Sequence, residues 1–211
     1  MIYIISFIIG YITGSFPTAY ILMKKIRNTD ITNSGSGNVG AMNSYEVSNS
    51  KLIGISVLIV DALKGLLSVI VTKALFGDYF IYPMIALLAA VISHCYNPWL
   101  KFKGGRGLAT AAGGAIGLSP IILVLWVVFW VLGYILRKNI HFSNIISTLL
   151  CIPVVITSGD ILNTEKWLTN PPAESTTIFA VTVSLMMIII LTKHIEPLKE
   201  FLKISKSNVR N

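Results

Sequence analysis

Two glycine-rich segments, residues 34–40 and 101–107, contain the groups best suited to hold a phosphate. Glycine lets backbone amides turn towards an anion, and neighbouring lysine and arginine side chains supply positive charge. Both segments adjoin long apolar stretches, so an anion bound there lies close to a bilayer. The pattern indicates phosphate chemistry at a membrane surface.

The first segment combines glycines with hydrogen-bonding side chains and contains a G-x-G-x-x-G string. A dinucleotide site needs this string between a strand and a helix. Here it follows an apolar segment, and the acid about 20 residues further on, Asp61, lies inside another apolar segment. We interpret the segment as a ligand-binding loop rather than a flexible connector or a Rossmann turn. The residues expected to contact the ligand are Gly35, Ser36, Gly37, Asn38 and Asn43.

The second segment places three glycines around Arg106, directly before a predicted helix. Membrane topology explains the cations but not the glycines, which cost about 0.5–1 kcal/mol each in a helix relative to alanine. Close approach of the backbone to a phosphate at a helix N-terminus explains them. The Walker spacing is absent, so nucleotide hydrolysis is not predicted. The expected phosphate ligands are Lys101, Lys103, Gly104, Gly105, Arg106 and Gly107.

Ionisable residues within the apolar segments are further candidates. Asp61 and Lys64 are three residues apart on a predicted helix, where a mutual ion pair offsets the cost of charges in hydrocarbon. Lys64 is therefore either half of a structural clasp or a contact for an anionic head group. His94 and His194 each end an apolar segment on the same predicted side as the glycine loops. Each is either an interfacial residue or part of the site.

The elements that must position these residues are membrane helices. Of the 211 residues, 54% are hydrophobic and 12% are charged, whereas a soluble domain carries about 25% charged residues. One helical domain, residues 1–211, accounts for the whole length. Apolar segments that approach or exceed the span of a bilayer lie at 1–23, 52–76, 79–99, 108–136, 142–159 and 175–192.

Clusters of lysine and arginine predict the orientation of these helices. They lie at 24–51, 101–106, 137–138 and 193–210, which the positive-inside rule places in the cytoplasm. Segment 108–136 then needs both ends inside, so we expect Pro120 to divide it. The predicted fold is all-α and integral to the membrane, with seven transmembrane helices, an outside N-terminus and a cytoplasmic C-terminus. Residues 108–118 rise only about 17 Å, so this helix either begins within the glycine loop or is re-entrant.

Other features of the composition exclude several classes of protein. No cation precedes Lys24, so the first helix is expected to be retained rather than cleaved as a signal. The net charge of +8 is explained by topology, and no nucleic-acid partner is predicted. Cys95 and Cys151 lack the spacing of a disulfide framework or a zinc site. Neither a metal nor a cofactor is expected.

Five segments, in this order, together resemble the bacterial acyl-phosphate:glycerol-3-phosphate acyltransferases, the PlsY family: residues 14–20 (GSFPTAY), 30–43, 61–65, 94–110 and, weakly, 194–196. The resemblance implies seven helices, acyl phosphate as donor, glycerol 3-phosphate as acceptor, lysophosphatidic acid as product and no cofactor. It also implies a multi-pass protein of the bacterial inner membrane with a cytoplasmic active site. We expect a monomer whose partners are these substrates and membrane lipid.

Several positions depart from the family pattern. Thr32 and Glu46 stand where the first loop usually carries arginine, and Met42 stands where it carries threonine. Arg106 replaces lysine and keeps its charge, whereas Pro197 replaces an asparagine. Because a charge-assisted contact contributes roughly 1.5–3 kcal/mol, losing two cations predicts a change in acceptor affinity or identity.

The expected chemistry is direct acyl transfer. Residues 101–107 hold the phosphate of glycerol 3-phosphate, as the resemblance also suggests, while Ser36 and Asn38 contact the donor or the developing oxyanion. The general base is either His194 or the phosphate that leaves. A nucleophilic Ser36 is less favoured because no base lies beside it in the sequence. The alternatives are a diverged paralogue with another acceptor or no activity, and a small transporter, although no internal repeat is visible.

Overall fold

The computed structural model of this chain describes residues 1–199 and 201, which contain no β-strand. A 3-10 turn lies directly before each glycine-rich segment, at Ile31–Asn33 and Pro98–Leu100. Residues 195–199 and 201 are also helical. The α-helices run in the order α1 Ile2–Ser15, α2 Thr18–Arg27, α3 Ala41–Ser48, α4 Lys51–Phe76, α5 Ile81–Cys95, α6 Leu108–Leu118, α7 Pro120–Arg137, α8 Ile140–Thr157, α9 Gly159–Thr164 and α10 Thr176–Thr192.

Five helical stretches of the described chain are long and apolar enough to cross a membrane. Two further apolar helices, α6 and α10, are shorter. The prediction of an all-helical membrane protein is confirmed, while seven spans and the orientation of the termini stay predictions. The five stretches are Ile2–Arg27, Lys51–Phe76, Ile81–Leu100, Pro120–Arg137 and Ile140–Thr157.

Two prolines interrupt helices, and the sequence predicts only one of the breaks. As expected, α6 ends at Leu118 and α7 begins at Pro120. Because α6 begins at Leu108, the alternative in which it begins within the glycine loop is wrong. The first segment is also divided, at Pro17, which has no N–H to donate to the helix.

The break at Pro17 leaves polar atoms of Ser15 free to bind residues 97 and 99, which lie just before the second glycine-rich segment. The Asn97 side-chain amide donates to the Ser15 carbonyl oxygen at 2.7 Å, and the Trp99 indole N–H donates to the Ser15 hydroxyl at 3.2 Å. Because free carbonyl groups are costly inside a membrane, this pairing stabilises the interrupted helix. It also fixes the chain that leads from α5 into the glycine loop.

Close helix contacts set the position of α6. A Cβ atom on Gly65 of α4 would overlap the carbonyl oxygen of Thr110, and one on Gly113 of α6 would overlap that of Ala62. The backbones of α4 and α6 therefore touch, as small residues allow in membrane helix pairs. The backbones of α1 and α5 also touch, at Gly10 and Gly14, which form a G-x-x-x-G motif. These contacts hold the N-terminus of α6 beside α4 and α5.

We predict that Gly113→Ala destabilises the protein, because the new Cβ meets rigid backbone of α4. Overpacking of this kind costs about 1–3 kcal/mol. The matched control is Gly117→Ala on the same helix, where the nearest atom is the movable Leu66 Cδ1 at 3.0 Å. Thermal unfolding in detergent should show a clearly lower midpoint for Gly113→Ala than for the wild type, and an unchanged midpoint for Gly117→Ala. Equal midpoints for both variants would contradict the close contact.

Candidate active site

The two glycine-rich loops meet. The Val39 amide donates to the Gly104 carbonyl oxygen at 3.2 Å, and Lys103 Nζ donates to Asn33 Oδ1 at 3.3 Å. Asn33 and Lys103 are 70 residues apart in sequence. The loops therefore form one surface, which is the arrangement that a shared site requires.

Asn43 shapes the first loop from inside. Its Oδ1 accepts the Ser36 amide at 3.0 Å, and its Nδ2 donates to the carbonyl oxygens of Ser34 and Asn38 at 3.0 and 2.9 Å. The side chain is buried, and the loop backbone uses both of its N–H groups. The sequence predicts a substrate contact for Asn43, whereas the structure gives its side chain to the loop itself.

The two glycines of this loop that were expected to contact a ligand, Gly35 and Gly37, have structural roles. The Gly37 amide donates to the Ser34 carbonyl oxygen at 3.0 Å, so it closes a turn instead of facing a ligand. Gly35 has a φ of 59°, and a Cβ there would overlap Asn43 Oδ1. Glycine is needed at position 35 for the loop to close around Asn43. The exposed Ser36 side chain and the half-buried Asn38 side chain are not used in this way and can face a ligand.

Asp30 anchors the start of the first loop. Its carboxylate accepts the Thr32 hydroxyl at 2.7 Å, the Thr32 amide at 2.9 Å and Asn33 Nδ2 at 3.2 Å. The hydrogen bonds from Thr32 hold the pKa of Asp30 below its usual value. Since Asn33 also accepts from Lys103, the anchor extends into the second loop.

The glycines of the second loop let it lie against the end of α5. A Cβ atom on Gly104 would overlap the His94 carbonyl oxygen, and one on Gly105 would overlap His94 Nε2. The Gly105 amide donates to the His94 carbonyl oxygen at 3.1 Å. Gly107 has a φ of 83° and precedes α6 as its N-cap. The sequence attributes these glycines to phosphate binding alone, but packing on α5 already requires two of them.

A buried polar cluster lies beneath this loop. Lys64 Nζ is 2.6 Å from Asp61 Oδ1, and His94 Nδ1 is 3.9 Å from the same oxygen. All three side chains are buried. The contacts of Lys64 therefore support its interpretation as a structural residue that forms an ion pair with Asp61. The cluster joins α4 to the end of α5 on which the second loop rests.

The cations of the second loop lie in different surroundings. Lys101 and Lys103 are exposed, whereas Arg106 is half-buried, with Nη1 at 3.2 Å from His141 Nδ1. A guanidinium group can only donate, so His141 Nδ1 accepts and the ring carries its hydrogen on Nε2. The contact orients Arg106 from the start of α8.

His194 presents an unprotonated nitrogen in a buried position. Its Nδ1 is 2.9 Å from the Ile190 carbonyl oxygen and must donate to it, because a carbonyl only accepts. Its Nε2 is buried and has no hydrogen-bond partner among the described residues. Burial lowers the pKa of His194 to about 4, the bond to Ile190 opposes this shift, and the charge of Arg106 adds to it. The imidazole is neutral at pH 7 and keeps a lone pair available.

Sequence reasoning missed two neighbours of this region, His141 and Lys193. Lys193 Nζ lies over the Tyr96 ring, 4.7 Å from its centroid, and the Tyr96 hydroxyl is 2.6 Å from Thr192 Oγ1. Burial lowers the pKa of Lys193, and the charge of Arg106 lowers it further. From the sequence, Lys193 is assigned only to the cation cluster that predicts membrane topology, and His141 lies outside every motif.

No three His, Cys, Asp or Glu side chains gather into a metal-binding group within residues 1–199 and 201. Cys95 and Cys151 are buried free thiols. The site also contains cations, amides, hydroxyl groups and imidazoles. Cations and amides can bind phosphate, and an imidazole can accept a proton.

Fold and site together define a helical membrane protein in which two glycine-rich loops form one surface that carries exposed lysines. Comparison with known proteins identifies the group: the family model described as Glycerol-3-phosphate acyltransferase matches residues 4–204. The chain belongs to this family. A glycerol-3-phosphate acyltransferase of Syntrophotalea carbinolica is 35% identical over 209 residues, covering 98% of this chain and 97% of the relative. One from Helicobacter pylori strain 26695 is 38% identical over 153 residues, covering 69% of this chain and 67% of the relative.

A solved structure has the same fold. The crystal structure of PlsY (YgiH), an integral membrane glycerol 3-phosphate acyltransferase in its glycerol 3-phosphate form, superposes with a TM-score of 0.76. The sequence identity is 24%, and the match covers 95% of this chain and 92% of that one. The lysophosphatidic acid form of that protein gives a TM-score of 0.74. The family resemblance read from the sequence is confirmed.

We predict that Asn43→Ala loosens the first loop without unfolding the helices, because three hydrogen bonds to loop backbone are lost. Hydrogen–deuterium exchange should show faster exchange of the Ser36 amide. Asn43→Asp keeps the acceptor for that amide and should have a smaller effect. Met42→Ala, at the exposed neighbouring position, is the control. Unchanged exchange in Asn43→Ala would show that the loop does not depend on this side chain.

We predict that nitrogen-15 NMR finds His194 neutral at pH 7, with hydrogen on Nδ1 and none on Nε2. Its folded pKa of about 4 lies below the ordinary 6.5, so the unfolded chain binds more protons between these values. The free energy of unfolding should therefore fall as the pH drops from 6.5 to 4, and less steeply in His194→Gln. An imidazolium at position 194 at pH 6 would contradict this assignment.

Proposed function

We propose that this protein is a membrane acyltransferase. It moves a fatty acyl group from acyl phosphate to the 1-hydroxyl of glycerol 3-phosphate and yields lysophosphatidic acid for phospholipid synthesis. The observation that carries the proposal is the contact of the two loops at Val39 and Gly104. Family membership supports the same reaction.

In this proposal the whole chain is one domain with seven transmembrane helices, an outside N-terminus and a cytoplasmic C-terminus. It acts as a monomer in the bacterial inner membrane, with its active site on the cytoplasmic side. The two shorter apolar helices, α6 and α10, bring the number of apolar helices assigned to the membrane to seven. The cations at 24–51 and 101–106 support the orientation, because such residues concentrate on the cytoplasmic side.

The phosphate of glycerol 3-phosphate binds to the second loop. Lys101 and Lys103 supply exposed positive charge, and Arg106 supplies a half-buried guanidinium that His141 orients. An arginine fork matches two phosphate oxygens, so a fixed guanidinium favours one orientation of the acceptor. The N-terminus of α6, one residue beyond Gly107, adds its dipole. The acceptor hydroxyl is then held towards the first loop.

The acyl phosphate binds to the first loop. The Ser36 and Asn38 side chains donate to the donor phosphate or to the carbonyl oxygen as negative charge develops on it. Acyl phosphate is already an activated anhydride, so positioning of the two substrates supplies much of the rate. The fixed backbone around Asn43 supports this role, because its bonds hold Ser36 and Asn38 in place.

In the chemical step the acceptor oxygen attacks the acyl carbonyl carbon, and the bond from that carbon to the phosphate oxygen breaks. The acceptor proton goes to His194 Nε2 or to the phosphate that leaves. The neutral state and the lone pair of His194 support the first route. No covalent acyl-enzyme is needed.

A change of acceptor is the second candidate. Thr32 stands at a position where the family pattern has a cation, and its hydroxyl and amide are both bonded to Asp30. Glu46, at the other such position, is exposed and acidic. Because the acceptor on the second loop faces this region, the loss of two cations favours an acceptor with less negative charge than glycerol 3-phosphate. A panel of polyol and polyol phosphate acceptors separates the two candidates.

We predict that purified protein in liposomes forms lysophosphatidic acid from glycerol 3-phosphate and palmitoyl phosphate, but not from palmitoyl-CoA. The hydrogen-bond donors of the first loop suit the anionic phosphate of acyl phosphate, whereas a thioester group carries no negative charge for them to bind. Product formed only from palmitoyl-CoA would refute acyl phosphate as the donor. Product formed only with another acceptor would support the second candidate.

We predict that His194→Ala lowers kcat by roughly 10² with little change in the KM for glycerol 3-phosphate, because a general base contributes 10²–10⁴-fold. The rise of kcat with pH near the His194 pKa of about 4 should also disappear. A variant that keeps its kcat and only raises the acceptor KM would assign His194 to binding and the proton to the leaving phosphate.

A further inference from the structure

Lys193 is a half-buried cation whose ammonium group has no hydrogen-bond acceptor in the described part of the chain. It directly follows α10, and its Nζ lies over the Tyr96 ring, 4.7 Å from the centroid. No carboxylate of residues 1–199 and 201 lies within 4.0 Å of this nitrogen. An ammonium group carries three N–H donors, and the face of a ring attracts its charge without replacing oxygen acceptors.

The two other lysines that are not exposed among the described residues both have oxygen partners. Lys64 Nζ is 2.6 Å from the Asp61 carboxylate. Lys73 Nζ donates to the Asn170 carbonyl oxygen at 2.9 Å. Removing a charge from water is costly unless it is paired or hydrogen-bonded. The surroundings of Lys193 therefore suit an anionic ligand that brings its own oxygen atoms.

Lys193 and Arg106 lie on chain segments that meet at Gly107. A Cβ atom on Gly107 would lie 2.8 Å from Cys95 Sγ, at the end of α5, and 3.4 Å from Ile190 Cγ1, on α10. The Ile190 carbonyl oxygen accepts the Lys193 amide at 3.1 Å. The end of α10 therefore packs against the residue that follows Arg106. This contact places Lys193 beside the part of the second loop that is assigned to phosphate binding.

The charges of Lys193 and Arg106 act on each other. Burial lowers the pKa of Lys193, and the charge of Arg106 lowers it further. Two cations in one partly buried region repel each other, and a bound anion offsets this repulsion. A phosphate dianion interacts favourably with both charges and offers the oxygen acceptors that Lys193 lacks.

We propose that Lys193 binds the phosphate group of glycerol 3-phosphate together with Arg106. This inference rests on the proposed function and adds a ligand from outside both glycine-rich loops. Without substrate, the Tyr96 ring holds the ammonium group at the edge of the site. Lys193 supplies a cation at a site whose first loop has Thr32 and Glu46 where the family pattern has arginine. Its charge favours glycerol 3-phosphate over an acceptor with less negative charge.

The test is calorimetric titration of the purified protein in detergent with glycerol 3-phosphate, without an acyl donor. Lys193→Met keeps an apolar stem and removes the charge, so the Kd should rise roughly tenfold or more. Lys193→Arg keeps the charge and should restore most of the affinity. The matched control is Lys199→Met, at an exposed lysine that pairs with Glu196, which should bind like the wild type.

Turnover separates a role in binding from a role in folding or in chemistry. Lys193→Met should raise the KM for glycerol 3-phosphate by the same factor as the Kd, while kcat and the KM for acyl phosphate change little. A variant with a lower kcat and an unchanged acceptor KM would overturn the assignment.

Inorganic phosphate, used as a competitor, shows which part of the acceptor Lys193 contacts. Its affinity should fall in Lys193→Met as that of glycerol 3-phosphate does, and unchanged competition would overturn the inference. Wild-type affinity for glycerol 3-phosphate in Lys193→Met also overturns it and leaves the proposed function standing. Binding that depends on Lys193, without acyl transfer, keeps the inference and refutes the proposed reaction. If Lys193→Met does not fold, Lys193→Gln takes its place with the same outcomes.

Discussion

The structure depends on the close approach of two loops at the end of α5. The Val39 amide reaches the Gly104 carbonyl oxygen, and the Gly105 amide reaches that of His94. A side chain at position 104 or 105 would overlap His94 and push the second loop away. The loops are separated in sequence by two long helices, so this backbone contact is what brings two glycine-rich segments into one surface.

Close helix packing makes that approach possible. The contact of Gly113 with Ala62 holds α6 on α4, where the buried Asp61 and Lys64 pair faces His94. Within a membrane, van der Waals packing and hydrogen bonds position helices, since burial of apolar surface gives no advantage over lipid. The polar cluster and the glycine contacts therefore act together to hold α4, α5 and α6 beneath the loops.

The membrane class, the break at Pro120, the two loops and the family could all be predicted from the sequence, because composition, a proline and short motifs are local signals. The roles of Asn43 and His141 could not, because each depends on contacts between distant residues. Gly104 and Gly105 illustrate the difference. The sequence shows that glycine is present, but only the fold shows that His94 demands it.

The central claim is that both loops act on the same transition state, and a double-mutant cycle tests it most directly. The kcat/KM for acyl transfer would be measured for the wild type, Ser36→Ala, Arg106→Ala and the double variant. Residues of one site are coupled by about 0.5–3 kcal/mol, so the account predicts a double variant whose loss differs from the sum of the single losses. Strictly additive losses would contradict a shared site.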